Sequence, residues 1–287
     1  MSTKRHALMI FTKAPLPGLT KTRLTTARGG ILTPEEAADF YRASLLDVVD
    51  IGLNALDELN QSAQTHANGS APDSYELVVS CSPASEQEVL KNALSEIDPG
   101  FSRICFITDS GKSFDEHFDD AFRQLFRQGY HSVVSIGGDL PTMSPVRIVQ
   151  AFQWLTYLEA ISDRGAFVQA PCQECGVSLV GYTAATPMDS TGVFYNLDGV
   201  PALDAYVKKA AEKEIPAAIL DPVADVDDVQ DLAHAASVIR AIAYSSRFQP
   251  GPFLSRRTLA WLDRNNIVVA TPPNQEHDPR ERIDAGN

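Results

Sequence analysis

The chain has 287 residues and carries 37 acidic against 24 basic side chains, which gives a formal net charge of -13. With 44% hydrophobic and 21% charged residues, its composition is that of a globular protein with a buried core and excludes disorder as the main state. Because such acidity repels nucleic-acid phosphates and anionic membranes, and no apolar run nears the ~20 residues that cross a bilayer, we expect no nucleic-acid partner, no membrane insertion and a cytoplasmic location.

Short apolar runs alternate with longer amphipathic stretches along the chain, a pattern typical of an α/β fold. In the first half, the predicted strands lie at 7–11, 77–81, 104–107 and 133–136, and the predicted helices begin at 34, 86 and 114. A polar segment at 61–74 is predicted to be a loop. Ser144 followed by Pro145 predicts a capped start of another helix.

The second half predicts a change of strand direction. The apolar runs at 166–169 and 177–180 are joined by a short link, which favours an antiparallel pair inside a mixed sheet. Further predicted elements are helices at 202–214, 228–243 and 255–263 and strands at 218–220 and 267–270. A Pro- and Gly-rich break suggests one main domain, 1–245, and a C-terminal appendage, 246–287, whose polar end from Pro272 we expect to be disordered.

The charge distribution gives the first indication of function. The basic residues that precede the first acid of the chain are Lys4, Arg5, Lys13, Lys21, Arg23 and Arg28. Three of them flank the loop 15–20, directly after the first strand, where ligands bind in open α/β sheets. Gly18 permits close backbone approach there, and Lys21, Thr22 and Arg23 supply donors suited to phosphate oxygens. A solvated basic loop is the alternative, whereas a P-loop is excluded because the Walker spacing is absent.

A second candidate group follows the fourth strand, where Gly137 and Gly138 lead to Asp139 at the carboxyl edge of the sheet. A carboxylate in that position can hold a divalent cation that bridges to a substrate phosphate. Mg²⁺ takes one or two protein carboxylates and completes its octahedron with water and phosphate. The alternative is that Asp139 caps the turn.

A third group is an acidic segment directly after a late strand, with carboxylates at Asp221, Asp225, Asp227 and Asp228. Acids this close repel one another unless a cation or a helix N-terminus compensates them. Asp225 and Asp227 flank Val226 on one side of an extended segment, so both can face one metal, whereas Asp228 is a candidate helix cap. The three groups together predict a site for a nucleotide di- or triphosphate with Mg²⁺ or Mn²⁺.

Cys172 and Cys175 have the CxxC spacing of zinc or dithiol sites. A structural zinc ion needs four ligands, usually from a second close pair, and Cys81 and Cys105 stand singly in strand-like segments. The spacing alone therefore gives weak support for a functional pair.

The order of these motifs resembles the DUF2064 family of bacterial GT-A-like transferases, which are related to nucleotide-diphospho-sugar transferases and to 2-phospho-L-lactate and molybdenum-cofactor guanylyltransferases. The segments that carry the resemblance are 11–18, 21–24, 36–47, 137–141 and 225–232. It spans roughly residues 7–240. It implies a three-layer α/β/α sandwich with a mixed, mostly parallel sheet.

The resemblance and the motifs together give a candidate site. The predicted nucleotide-binding residues are Lys13, Pro15, Gly18, Lys21, Thr22 and Arg23. Asp139 and Asp227 are predicted to hold the metal, with Asp225 as a helper. Lys21 and Arg23 also have a predicted catalytic role, because they can stabilise charge that develops on phosphoryl oxygens or on a leaving diphosphate.

One segment departs from the family pattern, which has Gly-Pro-x-x-Asp-Gly-Gly-Tyr where this chain has residues 170–177. Glu174 stands in the place of the Asp and keeps a carboxylate, Cys175 replaces a glycine, and Val177 replaces the aromatic residue. Glu174 is the candidate general base or acceptor contact.

The sequence therefore predicts an Mg²⁺-dependent transferase that moves a sugar or a nucleotidyl group from a nucleotide-sugar or nucleoside triphosphate donor to a small acceptor. The alternative, which the altered segment suggests, is a nucleotide-binding or regulatory protein that has lost catalysis. An aspartyl phosphatase is disfavoured, because the loop after the first strand is cationic where that reaction needs aspartates. A homo-oligomer is left open.

Overall fold

The computed structural model describes residues 3–67, 71–97 and 100–270. Its strands are β1 (Arg5–Thr12), β2 (Ser74–Cys81), β3 (Ile104–Ile107), β4 (Tyr130–Gly137), β5 (Phe167–Pro171), β6 (Val177–Thr183) and β7 (Ala217–Ile219). Its helices are α1 (Pro34–His66), α2 (Gln87–Leu94), α3 (Phe114–Arg127), α4 (Pro145–Ile161), α5 (Ala202–Glu212), α6 (Val229–Ser245) and α7 (Arg256–Arg264).

The seven strands form one sheet in the order β3-β2-β1-β4-β6-β5-β7. Strand β6 is antiparallel to β4 and β5, and the remaining described pairs are parallel. Helices α1, α2 and α4 pack on one face, and α3 and α5 pack on the other. The predicted α/β sandwich with a mixed, mostly parallel sheet is therefore confirmed, and so is the antiparallel pair of β5 and β6.

Helix α1 begins in a capping box, in which the Thr33 side chain accepts from Glu36 N and the Glu36 carboxylate accepts from Thr33 N. It continues to His66, so the prediction of a loop from residue 61 is wrong. The last turn is polar because it faces solvent, and the Thr65 hydroxyl donates to the carbonyl oxygen of Gln61 within the helix. Residues 68–70 of the predicted loop lie outside the described residues.

The C-terminal segment packs against the main sandwich. Trp261 of α7 is 1% exposed, and its ring lies 5.1 Å from that of Phe40 on α1 in an edge-to-face arrangement. The strand predicted at 267–270 is wrong: no described strand pairs with it, and the Ile267 carbonyl accepts from the Arg240 guanidinium instead. The boundary at 245 stays a prediction, and the expected disordered end from Pro272 lies outside the described residues.

Asp47 fastens α7 to α1. Its buried carboxylate accepts hydrogen bonds from Thr258 N at 2.7 Å, from the Thr258 hydroxyl at 2.8 Å and from Arg257 N at 3.2 Å. We expect Asp47→Ala to lower the free energy of unfolding by about 2 to 3 kcal/mol, because it leaves buried donors at the start of α7 without acceptors. Chemical denaturation measures this loss. The matched variant Asp163→Ala, whose side chain is 98% exposed, should unfold like the parent protein.

Candidate active site

A cleft of about 1020 Å³ lies along the edge of the sheet at which the parallel strands end. It is lined by residues that follow β1, β3 and β4, by the β5–β6 connection and by the acidic segment after β7. Ligand pockets commonly measure ~300–1,000 Å³, so this cleft has room for a nucleotide donor together with a small acceptor.

The loop after β1 brings Lys21 to the floor of the cleft. Lys21 has a left-handed backbone conformation (φ 49°, ψ 39°), and its side chain is only 8% exposed. Its ammonium lies 2.5 Å from Asp139 Oδ2 and 2.7 Å from Asp227 Oδ1. Arg23 contacts the same cluster from the solvent side, and its guanidinium Nη1 lies 3.4 Å from Asp227 Oδ2. The cationic loop and the two acidic groups therefore meet at one point.

The glycines before Asp139 are needed for close packing. A Cβ on Gly138 would lie 2.8 Å from Leu45 Cδ1 and 2.9 Å from the Tyr41 hydroxyl. The Gly138 carbonyl is held by the Ser44 hydroxyl of α1 at 3.1 Å. This turn leaves the backbone of Asp139 fixed and its side chain pointing into the cleft.

The acidic segment is arranged as its sequence predicted. Val226 is fully buried, while the half-buried Asp225 and Asp227 on either side line the cleft. Val226 N donates to the Asp139 carbonyl at 3.2 Å, which ties the two acidic groups together. Asp228 is the N-cap of α6, and it forms a capping box with Asp231. Asp228 is therefore a helix cap, as the sequence suggested.

Gln173 is a functional residue that sequence reasoning missed. Its amide nitrogen donates to the Asp225 carbonyl at 3.1 Å and to Asp231 Oδ1 at 2.9 Å, and its amide oxygen accepts from Asp225 N at 3.1 Å. The β5–β6 connection thereby fixes the backbone of the acidic segment. A neutral side chain between two cysteines carries no charge or spacing signal from which this role could be predicted.

The close charges shift one another's protonation. Burial opposes the charge of Lys21, but Asp139 and Asp227 raise the pKa of its ammonium above the usual range. Burial also opposes the charge of Asp227, yet Lys21 and Arg23 lower the pKa of that carboxyl. For Asp225, burial together with the charges of Asp139 and Asp227 raises the pKa to about 6.

The cluster fits a divalent cation in its donor chemistry. Asp139 and Asp227 converge on one position that a positive group, the Lys21 ammonium, already contacts at 2.5 and 2.7 Å. No set of three His, Cys, Asp or Glu ligands is preformed among the described residues. A pair of carboxylates is enough for Mg²⁺ or Mn²⁺, because these ions take few protein carboxylates and complete their shell with water and phosphate.

The other predicted residues divide into two groups. Lys13 and Glu174 line the same cleft, whereas Pro15, Gly18 and Thr22 are not part of its described wall. The nucleotide-binding roles of these last three stay predictions.

The segment that departs from the family pattern keeps an unusual backbone. Glu174 and Cys175 both have positive φ, 54° and 60°, so Cys175 adopts the conformation that the family's glycine permits. Burial and the nearby Asp225 raise the pKa of the Cys172 thiol far above its usual range, which disfavours a thiolate ligand. Cys172 and Cys175 do not form a disulfide bond.

The cleft has a second end, which sequence reasoning did not identify. There His117 Nδ1 lies 2.6 Å from Asp109 Oδ1, beside the aromatic residues Phe114, Phe194 and Tyr195. Asp109 follows β3, and His117 lies in the first turn of α3. Each is a single residue with no motif, so only the folded chain brings them together.

Among the described helices, none combines the length and apolarity that a bilayer crossing requires.

Residues 66–197 match the family described as "Uncharacterized protein conserved in bacteria (DUF2064)". This segment contains Asp139 and Glu174, whereas Lys21 and Asp227 lie outside it. No curated protein sequence matches the chain significantly.

The chain is also similar to several solved structures. A protein from Desulfovibrio desulfuricans G20, assigned as a nucleotide-diphospho-sugar transferase, superimposes with a TM-score of 0.67 at 23% identity, covering 92% of this chain and 96% of that one. A cytidylyltransferase from Leptospira borgpetersenii superimposes at 0.46 and 13% identity, covering 92% and 96%. The manganese complex of Rv0371C from Mycobacterium tuberculosis H37Rv superimposes at 0.35 and 14% identity, covering 82% and 98%. The resemblance to DUF2064 is therefore confirmed over residues 66–197, and the chain shares its α/β fold with the Desulfovibrio protein.

Proposed function

We propose that the protein is an Mg²⁺- or Mn²⁺-dependent transferase that moves a sugar or a nucleotidyl group from a nucleotide-sugar or nucleoside triphosphate donor to a small acceptor. The observation that carries this proposal is the contact of Lys21 with both Asp139 and Asp227 in the cleft. A cation-binding pair of carboxylates next to a cationic loop is the arrangement that a phosphorylated donor with a bound metal requires.

The basic residues of the loop supply the phosphate contacts. Lys21 and Arg23 reach the acid cluster, and the exposed Lys13 lines the cleft nearby. Their side chains can stabilise charge that develops on phosphoryl oxygens or on a leaving diphosphate. Because Lys21 is buried in the wall of the cleft, its contacts are stronger there than in bulk water.

The metal would be held by Asp139 and Asp227, with Asp225 beside them. When bound, a divalent cation supplies Lewis-acid neutralisation of the phosphate charge. A metal held by these carboxylates would take the place that the Lys21 ammonium occupies between them, and Lys21 would then be available to contact the donor.

Glu174 is the proposed base or contact for the acceptor. It is exposed on the β5–β6 connection and lines the cleft. A carboxylate there can accept the proton of an acceptor hydroxyl that comes within hydrogen-bond reach.

A thermal-shift panel tests the proposal. We expect one or more nucleoside diphosphates, triphosphates or nucleotide sugars to raise the melting temperature with Mg²⁺ present and to do so much less without it. A ligand at a hundred times its Kd contributes ~2.7 kcal/mol, which raises the melting temperature by roughly 4 to 5 °C for a chain of this size. A panel in which no nucleotide shifts the melting temperature, with or without metal, would contradict the proposal.

Turnover separates the two functional classes. Release of nucleotide or pyrophosphate from a stabilising donor, in the presence of candidate acceptors, supports the transferase. The altered segment 170–177, with Cys175 and Val177 in place of a glycine and an aromatic residue, is the observation that favours the alternative, a nucleotide-binding protein without catalysis. Tight, metal-dependent binding with no turnover across the donor panel would favour that second function.

A further inference from the structure

The end of the cleft beyond β3 is built from groups that the acid cluster does not use. The His117 ring donates from Nδ1 to Asp109 Oδ1 at 2.6 Å, and Asp109 is only 3% exposed. The second oxygen of Asp109 accepts from the Ser80 hydroxyl at 2.6 Å. Ser80 is fully buried in β2, so the chain from Ser80 through Asp109 to His117 is fixed in the sheet.

This series of hydrogen bonds determines which ring nitrogen of His117 faces the cleft. A carboxylate only accepts hydrogen bonds, so Nδ1 must carry the hydrogen. In the neutral ring, Nε2 then carries a lone pair, and no described side chain hydrogen-bonds to it. His117 lines the cleft with its side chain 29% exposed. His117 Nε2 is therefore a hydrogen-bond acceptor with a fixed orientation in the wall of the cleft.

Aromatic side chains surround this acceptor, and we call Phe114, Phe194 and Tyr195 the aromatic rim. Phe114 lies three residues before His117 on α3, so both side chains share one face of the helix. The Phe114 ring lies 4.8 Å from that of Phe194 and 5.7 Å from that of Tyr195. The Tyr195 side chain is 82% exposed although the residue has a positive φ of 51°.

The aromatic rim is held in place by helix α3. The Asp115 carboxylate accepts from Gly192 N at 2.8 Å and from Phe194 N at 3.0 Å. Asp119 accepts from Ser190 N at 2.8 Å. Two carboxylates of α3 thus hold the loop that carries Phe194 and Tyr195 next to Phe114 and His117. Exposed aromatic rings on a fixed backbone are suited to stack on a planar ligand.

We propose that His117 and the aromatic rim form a subsite for a planar ring that carries an N–H or O–H donor, with the ring stacked on the rim and its donor bonded to His117 Nε2. Asp109 is a positioning residue, because it sets the orientation and the tautomer of His117. The proposal rests on the proposed function in taking the cleft as the substrate site. The ring could belong to the nucleobase of the donor or to an aromatic acceptor, and the two arms of the experiment separate these sources.

The first arm compares ADP, GDP, CDP and UDP with inorganic pyrophosphate, each with Mg²⁺, by isothermal titration. We expect at least one diphosphate to bind about tenfold or more tightly than pyrophosphate, and we expect His117→Ala and Tyr195→Ala each to remove that advantage. Pyrophosphate binding should be unchanged in both variants. Tyr195→Ala also serves if His117→Ala fails to fold, because the Tyr195 side chain is exposed.

The second arm titrates phenol into the ¹⁵N-histidine-labelled protein with Mg²⁺ and pyrophosphate. A saturable shift of the His117 ring signals, lost in Tyr195→Ala, together with diphosphates that bind no better than pyrophosphate, assigns the subsite to an aromatic acceptor. If the substitutions of His117 and Tyr195 reduce neither the binding of the diphosphates nor the binding of phenol, the subsite proposal is overturned.

Asp109→Asn tests the positioning role. The Ser80 hydroxyl can donate to the new amide oxygen, which turns the amide N–H toward His117 Nδ1 and moves the ring hydrogen to Nε2. We expect the ¹⁵N signals of the two ring nitrogens to exchange character and ring binding to fall about tenfold, with pyrophosphate binding kept. A changed tautomer with unchanged ring binding would overturn the role of Nε2. Loss of pyrophosphate binding in the parent protein itself would instead count against the proposed function.

Discussion

Asp139→Asn is expected to abolish the Mg²⁺-dependent part of nucleotide binding and to reduce turnover at least about 100-fold. Replacing groups that only orient metal ligands commonly costs about 10- to 100-fold, so loss of a ligand itself should reach the upper end of that range or beyond. The amide of Asn keeps the shape of the side chain but brings no negative charge to the metal. Titration of the stabilising nucleotide with and without Mg²⁺, followed by initial rates, measures both effects.

The control for this variant is Asp163→Asn, because it removes the same charge from a side chain that is 98% exposed at the end of α4. We expect it to bind and turn over like the parent protein. The circular dichroism spectrum of Asp139→Asn should also match that of the parent, since Gly138 and its backbone contacts are unchanged. Unaltered Mg²⁺-dependent affinity in Asp139→Asn would remove Asp139 from the metal site.

Lys21→Met is expected to lower the free energy of unfolding by about 3 to 5 kcal/mol, the range found when one partner of a buried ion pair is removed. The ammonium of Lys21 is buried against Asp139 and Asp227, and Asp225 adds a third carboxylate beside them. Without Lys21 these acids lose their buried cation, and among the described basic side chains Arg23 is the one that still contacts Asp227, from the exposed side at 3.4 Å. Mg²⁺ alone should then stabilise the variant more than it stabilises the parent protein, because the metal replaces the missing positive charge. Thermal melts over a range of MgCl₂ concentrations, without nucleotide, measure this difference.

Two further variants make the Lys21 result specific. Lys91→Met removes a partly exposed lysine that pairs with the exposed Glu88 three residues earlier, and it should change stability by no more than about 0.5 kcal/mol. The double variant Lys21→Met with Asp139→Asn should recover part of the lost stability, because one of the repelling carboxylates is gone. If Lys21→Met has the melting temperature of the parent protein, and Mg²⁺ does not raise it further than in the parent, then Lys21 does not compensate the charge of the acid cluster.

The positions of Lys21, Asp139 and Asp227 in one cleft could be predicted because each follows a strand. Parallel strands end at the same edge of a sheet, so residues 118 and 206 positions apart from Lys21 in the chain could be expected near it. The side on which Asp225 and Asp227 lie also followed from the alternation around the buried Val226.

The parts of the site that were missed are those that only tertiary contacts create. Gln173 acts through hydrogen bonds to a segment more than 50 residues away, and Asp109 and His117 meet across a turn between a strand and a helix. Local propensity also misled at two ends of elements. The polar last turn of α1 remains helical while it faces solvent. Ile267 and Val269 are partly buried against α6 and α7 while Val268 is 84% exposed, so the segment alternates like a strand but has no described strand beside it to pair with.

The packing of α7 has a consequence for the length of chain that catalysis would need. Trp261 and Leu262 share one apolar cluster with Leu24, next to Arg23, and with Val226, between the two acids of the cleft. Truncation after residue 245 would remove Trp261 and Leu262 and leave Leu24 and Val226 partly uncovered. The removed residues that the structure describes do not line the cleft themselves. A shortened version of this protein would therefore lose the fixed positions of Arg23, Asp225 and Asp227 before it lost its sheet.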